Sequence, residues 1–486
     1  MVNINREISF ILNDQEMHVT VPAGLLALDY LRQEAGLTGT KEGCKEGDCG
    51  ACSVIVGELD GSGGIRYRPM TSCLLPMGEL SGKHLVTIEG LSRDGLTPVQ
   101  AAMVDCGGTQ CGYCTPGFVV AMTAGLMTPK LPLNEEGFLY AISGNLCRCT
   151  GYRSIKEAGA NVMKELSAKL AGKERLAALV EAKALPEYFT GIPTRLAALA
   201  ADTVVAEPET PEPNGARFVI AGGTDLYVQR GELIPEAAVS LLNPVKPVES
   251  AAILDGKVHV DARMTFEAFA EDPVIQSYVP DAEAYNKLIA SWPMRTRATL
   301  GGNICNASPI ADMTCLLLAL ESELTLVDGR GNSRPMPLSD FFLDYKKLNK
   351  KEDELVERIA FPTYGENTRV SWEKVSKRAW LDIATVNSAA KITVEEGRIL
   401  SAHLALGGVA ATPLYLTNAS AFLEGKPLEE VTVKGMLEVA MGEFNPISDV
   451  RGSGEYKRLL ARQLLAVHFT QLFPEEIGEE VLYATL

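Results

Sequence analysis

An α+β chain of several domains is what the sequence predicts, on three observations. Its 486 residues make about three domains at roughly 150 residues each. The apolar residues alternate at the start, take helical spacing in the middle and mix both patterns afterwards. Nine of the eleven cysteines lie before residue 150, so whatever they do is done in the first third of the chain.

Alternation at Ile8, Phe10 and Leu12, a turn at Asn13-Asp14, and alternation again at Met17, Val19 and Val21 predict a hairpin. A short helix over Leu25 to Glu34 follows, then a Gly- and Cys-rich loop from Gly43 to Cys52. Strands at Val54 to Leu59, Ile65 to Tyr67 and Leu85 to Ile88 complete a small mixed sheet with one covering helix. The character changes at Thr97-Pro98-Val99-Gln100. Thr as cap, Pro at the first helical position and Gln three residues after the cap start a helix that Gly107-Gly108 ends. Thr115-Pro116 starts a second helix, Asn134-Glu135-Glu136 a third that stops near Gly144-Asn145, and Ser154 begins a fourth. Residues 82–165 therefore read as a compact helical domain. A helical connector and an acidic stretch with Pro208, Pro211 and Pro213, ending at Asn214-Gly215, mark the main boundary. Beyond it strands and helices alternate, with turns at Asp255-Gly256 and Asp328-Gly329, which predicts an α+β domain to about residue 385. The remainder begins with strands (Ile383 to Val394, His403 to Leu406) and ends in helices. The clearest runs from Gly454 to Phe469, with Tyr456, Leu459, Leu460, Leu464 and Val467 expected on its apolar side.

Lys and Arg total 45 against 62 Asp and Glu, a net charge of −17. An acidic chain without a basic run is poorly suited to phosphate backbones, so nucleic acid is not an expected partner. The aliphatic run near residues 316–320 is far short of the roughly 20 residues that span a bilayer. Met1 to Arg6 leads straight into a strand pattern rather than a leader. A soluble, cytoplasmic protein without a membrane span is expected, and in reducing cytosol cysteines ligate metal more readily than they form a disulfide framework.

Cys44, Cys49 and Cys52, followed by Cys73, give C-x4-C-x2-C…C, the spacing of plant-type [2Fe-2S] clusters. Gly43, Gly47 and Gly50 between them let the backbone wrap closely and turn N–H groups toward sulfur. Zinc is the alternative, though such sites usually pair two C-x2-C-like knuckles. A second set is Cys111 and Cys114, then Cys147 and Cys149. Cys114 directly precedes a helix start, where the dipole favours thiolate. Taken alone this set suits zinc and iron-sulfur equally; beside the first it points to two clusters in series. Cys106, Cys305 and Cys315 read as small buried residues. The pieces Ala221-Gly222-Gly223-Thr224-Asp225 and Gly301-Gly302-Asn303 suit either ordinary turns or the close backbone approach a pyrophosphate needs.

The segments CKEGDCGAC (44–52), QCGYCTPGF (110–118) and GNLCRCTGYRSI (144–155) resemble the two iron-sulfur domains of the xanthine dehydrogenase family of molybdenum hydroxylases. The likeness continues through VIAGGTDL (219–226), ATLGGNICNASPIADM (298–313), KRAWLDIATV (377–386) and SDVRGSGEYKRLLA (448–461). It is to the separate iron-sulfur/flavin subunit that some members have, without the molybdopterin-binding region. The resemblance implies a β-grasp plant-type ferredoxin domain (1–81), a helical-bundle [2Fe-2S] domain (82–165), a linker (166–214), an α+β FAD-binding domain (215–385) and a C-terminal α+β domain of flavoprotein-subunit type (386–486). The eight cysteines would hold two [2Fe-2S] clusters. Val219, Ile220, Ala221, Gly222, Gly223, Thr224, Asp225 and Leu226 would wrap the FAD diphosphate. Thr299, Gly301, Gly302 and Asn303 would contribute a second loop, and Asp312 matches an acid near the adenosine end. Where family members often place an aromatic ring against the flavin, this chain has Ile289. Gln110 and Cys149 would face a pterin on the partner.

The resemblance further implies an oxidoreductase subunit in a hetero-oligomer. Electrons would pass from molybdenum on a molybdopterin-binding large subunit through both clusters to FAD, and on to NAD as acceptor, in purine catabolism. No residue of this chain would serve as acid, base or nucleophile toward substrate. The same role toward an aldehyde or another N-heterocycle is the alternative. A non-catalytic zinc-binding scaffold is the reading from a different class.

Overall fold

The computed structural model describes residues 4–93, 95–202, 218–242, 248 and 250–483, with the side chains of 200–202 left aside. The proline-rich boundary at Pro208 to Gly215 lies outside the described residues. The chain divides into two compact units: 1–246 with 291–297, and 247–290 with 298–486.

The first unit opens on the expected hairpin, β1 (Asn5–Leu12) against β2 (Gln15–Pro22), turning at Asn13 with φ of +55°. β3 (Ser53–Leu59), β4 (Ile65–Thr71) and β5 (His84–Val86) complete a five-stranded sheet in the order β2-β1-β5-β3-β4. β1 and β5 run parallel, whereas β5 and β3 are antiparallel, so the sheet is mixed as expected. β5 is the central strand, and the sheet therefore closes at Val86, past residue 81. The helix expected over Leu25 to Glu34 is a short α turn, Ala27–Asp29, continued as a π-helical turn, Tyr30–Glu34. It buries Ala27, Tyr30 and Leu31 against Phe10 and Val54.

Four helices follow around a second core. Pro98–Asp105 carries the expected capping box between Thr97 and Gln100, and Asn134 caps Glu135–Ala141 through the Gly137 N–H. Thr115–Met127 is buried at every residue from Gly117 to Met127, so it is the central helix and its sequence is apolar all round. Arg153–Leu170 is amphipathic and packs Ile155, Ala158, Val162 and Leu166 into the same core. The stretch expected as a linker is packed structure up to Asp202. Helix Arg175–Glu181 and the turn Glu187–Gly191 bury Leu179 and Phe189 in the helical core. Helix Ile192–Asp202 lays Ile192 and Leu196 on Ile11 of β1. After the boundary, Phe218–Ile220 pairs in parallel with Val239–Leu241. This pair belongs to the first unit, whose apolar cluster around Cys52 and Cys73 includes Ile220, Tyr227 and Leu241.

The second unit holds a five-stranded antiparallel sheet, Ser333–Pro337, Glu323–Val327, Leu355–Pro362, Lys257–Asp261 and Ala252–Leu254 in spatial order. The expected turn at Asp255-Gly256 joins the last two, both residues having positive φ. A four-stranded antiparallel sheet follows: Thr368–Val375, Val386–Glu395, Arg398–Gly407 and Leu414–Tyr415. Its first strand precedes residue 385, so the C-terminal sheet begins earlier than expected. The long helix spans Gly454–Leu472, but its buried face is Lys457, Ala461, Leu464, Leu465, His468 and Phe469. Tyr456, expected inside, is 45% exposed. The apolar face is shifted because Lys457 is buried, its ammonium on Asp449 at 2.7 Å and on the Ile447 carbonyl at 3.1 Å. Among the described residues no helix is long and apolar enough to cross a membrane.

Candidate functional site

The ligand loop from Gly43 to Cys52 is built on backbone that bends where glycine allows. Gly50 has φ of +67°, and a Cβ there would fall 2.5 Å from Asn145 Nδ2. A Cβ on Gly43 would fall 2.6 Å from the Cys49 sulfur. The four expected cysteines come together as two pairs. The Cys44 N–H donates to Cys49 Sγ at 3.3 Å, and Cys44 and Cys49 also interact through their side chains. Cys52 Sγ lies 3.3 Å from Cys73 Sγ. The hydrogen bond from Cys49, with N–H groups of the loop, lowers the Cys44 thiol to about 5. The Glu46 N–H is one of these donors, 3.3 Å from the Cys44 sulfur. Loop N–H groups aimed at sulfur are what an anionic cluster requires.

The second set repeats this arrangement at helix ends. Cys111 and Cys149 are exposed, their sulfurs 3.6 Å apart. Cys114, at the start of the central helix, interacts with Cys147. Burial pushes the Cys114 thiol up to about 12. Cys147 also feels burial, but the Thr150 hydroxyl at 3.2 Å and the backbone N–H of Thr150 bring its thiol below the usual value. Two thiols on each side of a two-iron core is the arrangement a [2Fe-2S] cluster uses. One zinc ion would gather all four around a single point. The residues at both sites therefore fit the cluster.

The two ligand loops are hydrogen-bonded to each other. The Leu146 N–H, next to Cys147, donates to the Cys49 carbonyl at 3.0 Å, and Asn145 Nδ2 donates to the Gly50 carbonyl at 3.1 Å. Tyr113 Oη also donates to the Glu42 carbonyl. Gln110 and Cys149 are both exposed on the second set's side.

Of the candidate flavin residues, 219–226 lie in the first unit and 299–312 in the second. Phe218–Ile220 ends in the turn Ala221 to Asp225, and a five-residue helix Leu226–Arg230 follows. Tyr227 is buried beneath the turn, its Oη donating to the Gly24 carbonyl at 2.9 Å. In the second unit Thr299 caps helix Leu300–Asn306 through the Gly302 N–H, and Gly301 donates to the Ala262 carbonyl at 2.7 Å. Asn303 Oδ1 accepts from the Thr314 N–H and hydroxyl. Both oxygens of Asp312 are engaged, by Lys374 at 2.9 Å and by Asn387 at 2.5 Å. Ile289 is buried in the core of this unit beside Tyr285, Asp312 and Trp372. Of the three leftover cysteines, Cys315 is buried as expected; Cys106 is only partly so and Cys305 is exposed.

Sequence reasoning passed over Ser291–Arg297. Met294 packs where a Cβ on Gly47 would stand, Pro293 packs on Gly144, and Thr296 Oγ1 donates to the Pro69 carbonyl at 2.9 Å. Arg295 Nη2 donates to Tyr140 Oη at 2.7 Å, and Arg297 pairs with Glu79. A Trp-Pro pair and two arginines just ahead of the Gly-Gly turn were the available signal.

Four family models match the chain in sequence order. They are the 2Fe-2S iron-sulfur cluster binding domain (10–77), the [2Fe-2S] binding domain (87–160), the FAD binding domain in molybdopterin dehydrogenase (192–364) and the CO dehydrogenase flavoprotein C-terminal domain (373–472). Xanthine dehydrogenase 1 of Arabidopsis thaliana is 30% identical over 91% of this chain. The chain belongs to the xanthine dehydrogenase family of molybdenum hydroxylases. Xanthine dehydrogenase of Blastobotrys adeninivorans is 28% identical over 98% of the chain. The family member described here spans 37% and 41% of the lengths of these two relatives. Among solved structures, it is similar to a carbon monoxide dehydrogenase of Hydrogenophaga pseudoflava that lacks the Mo-pyranopterin moiety of its cofactor. The likeness has a TM-score of 0.50 and 26% identity, over 54% of this chain and 91% of the other. Two [2Fe-2S]-binding domains and an FAD-binding domain are thus present, and they replace the zinc-scaffold reading.

Proposed function

We propose that the chain is the electron-transfer subunit of a xanthine dehydrogenase-like molybdenum hydroxylase of the cytoplasm. Substrate would be oxidised at molybdenum on a separate molybdopterin-binding chain, and NAD would be the final acceptor. When bound, the [2Fe-2S] clusters carry single electrons and the FAD collects two for hydride donation. Cys44, Cys49, Cys52 and Cys73 would hold one cluster, and Cys111, Cys114, Cys147 and Cys149 the other. Val219 to Leu226 would hold the FAD diphosphate, with Thr299, Gly301, Gly302, Asn303 and Asp312 as further flavin residues.

The observation that carries the reading is the direct hydrogen bonding between the two ligand loops, Leu146 to Cys49 and Asn145 to Gly50. It ties the loop that carries Cys49 to the loop that carries Cys147, so the two sets lie side by side in the first unit. The exposed Cys111 and Cys149 leave the second set open to a partner, whereas Cys52 and Cys73 are buried.

An anaerobic titration of the purified protein with NADH tests this, followed by visible absorbance and low-temperature EPR. Loss of flavin absorbance with two distinguishable reduced-cluster signals is expected. If dithionite reduces all three centres and NADH none, even with the partner chain added, NAD is not the acceptor.

A further inference from the structure

Arg297 is 3% exposed, a costly place for a guanidinium unless its charge and donors are met. It forks onto Glu79, Nη1 to Oε2 at 2.8 Å and Nη2 to Oε1 at 3.3 Å. Nη2 also donates to the Gly222 carbonyl at 2.6 Å. Among the described residues its buried Nε has no hydrogen-bond partner. The side chain therefore sits where its two Nη groups are best used and not where every donor is satisfied. Glu79 alone would neutralise the charge, so the bond to Gly222 is a separate, directed contact.

That contact orients a peptide. In a trans peptide the carbonyl and the following N–H point in opposite directions. Holding the Gly222 oxygen on Arg297 turns the Gly223 N–H away from the guanidinium. Gly223 has φ of +71°, and a Cβ there would stand 3.0 Å from the Tyr227 ring. Tyr227 is itself tied to Gly24. The turn is thus held by the tyrosine on one side and the arginine on the other, with the Gly223 N–H directed away from the guanidinium. Successive N–H groups in such a turn bind phosphate oxygens.

We propose that Arg297 is a positioning residue for the FAD diphosphate, setting the Gly222–Gly223 peptide while Glu79 supplies its counter-charge. This rests on the assignment of 219–226 to the flavin diphosphate. The test is FAD binding to the full-length protein after its flavin is removed, read by quenching of flavin fluorescence. Cluster EPR and the thermal midpoint of the FAD-free protein are read in parallel. Arg297→Lys keeps a cation for Glu79 but loses the planar fork that reaches Gly222 as well. Its dissociation constant for FAD is expected to rise about tenfold or more, with both cluster signals retained and the midpoint lowered no further than in Glu79→Gln. Glu79→Gln leaves the Arg297–Gly222 bond, so its midpoint should fall while FAD affinity stays within about threefold of wild type. Wild-type FAD affinity in Arg297→Lys overturns the proposal. So does an equal loss of FAD affinity in Glu79→Gln, or loss of the clusters together with the flavin in Arg297→Lys. A wild-type protein that binds no FAD strikes the cofactor assignment itself.

Discussion

Lowering the pH should loosen the C-terminal sheet through one buried histidine. His468 is fully buried, with Nδ1 2.9 Å from the Ser371 hydroxyl and Nε2 2.8 Å from the Ser388 hydroxyl. The Ser388 hydroxyl donates its proton to the Ala405 carbonyl, so it accepts from Nε2–H, and Nδ1 accepts from Ser371. Burial lowers His468 to about 3, against an ordinary value of 6.5. The folded state thus keeps it neutral while the unfolded chain takes up a proton below about 6.5. Stability is whole above that value and falls with pH toward 3, at about 1.4 kcal/mol per pH unit. Relative to pH well above 6.5, the loss at pH 5.0 is about 2 kcal/mol. Native-state hydrogen exchange on Thr368–Val375 and Val386–Glu395, which carry Ser371 and Ser388, measures it as opening free energy. His468→Gln should be less stable at pH 7 but lack this part of the slope, while carboxylates and the nearby His403 contribute equally to both proteins. Equal slopes in the two would refute the reasoning.

Replacing a ligand should separate the two clusters. Cys149→Ala removes one thiol of an exposed pair; the expected outcome is loss of one EPR signal and about half of the iron and sulfide, with the other signal and the FAD retained. Loss of both signals would show that the sites are not separately held. Thr97→Ala removes a complete capping box and should cost about 1 kcal/mol in urea unfolding of the helical domain without altering either cluster signal.

The cysteine sets were legible because Cys44, Cys49 and Cys52 lie on one short loop, where covalent spacing alone limits what they can surround. Helix starts at Thr97 and Asn134 and the hairpin turns at Asn13 and Asp255 were equally plain. Each is a local rule in which a side chain satisfies backbone a few residues away or a positive φ selects the residue. The face of the last helix was misread because Lys457 counts as polar in any apolar pattern, and only its bonds to Asp449 and Ile447 make it an inside residue.

By itself, then, the sequence determined the order of domains, the spacing of the two cysteine sets and the glycine turns, all of which depend on neighbours in the chain. The tertiary structure decided how the sulfurs pair, that β5 is central to the first sheet, and that Thr368–Val375 joins the C-terminal one. It also placed Ser291–Arg297 against the ligand loops and Arg297 between Glu79 and Gly222. The two contacts of Arg297 alone join residues separated by 75 and 218 positions, and no local period records them. They arise when apolar surfaces close and leave a buried charge or carbonyl that only a distant partner can satisfy.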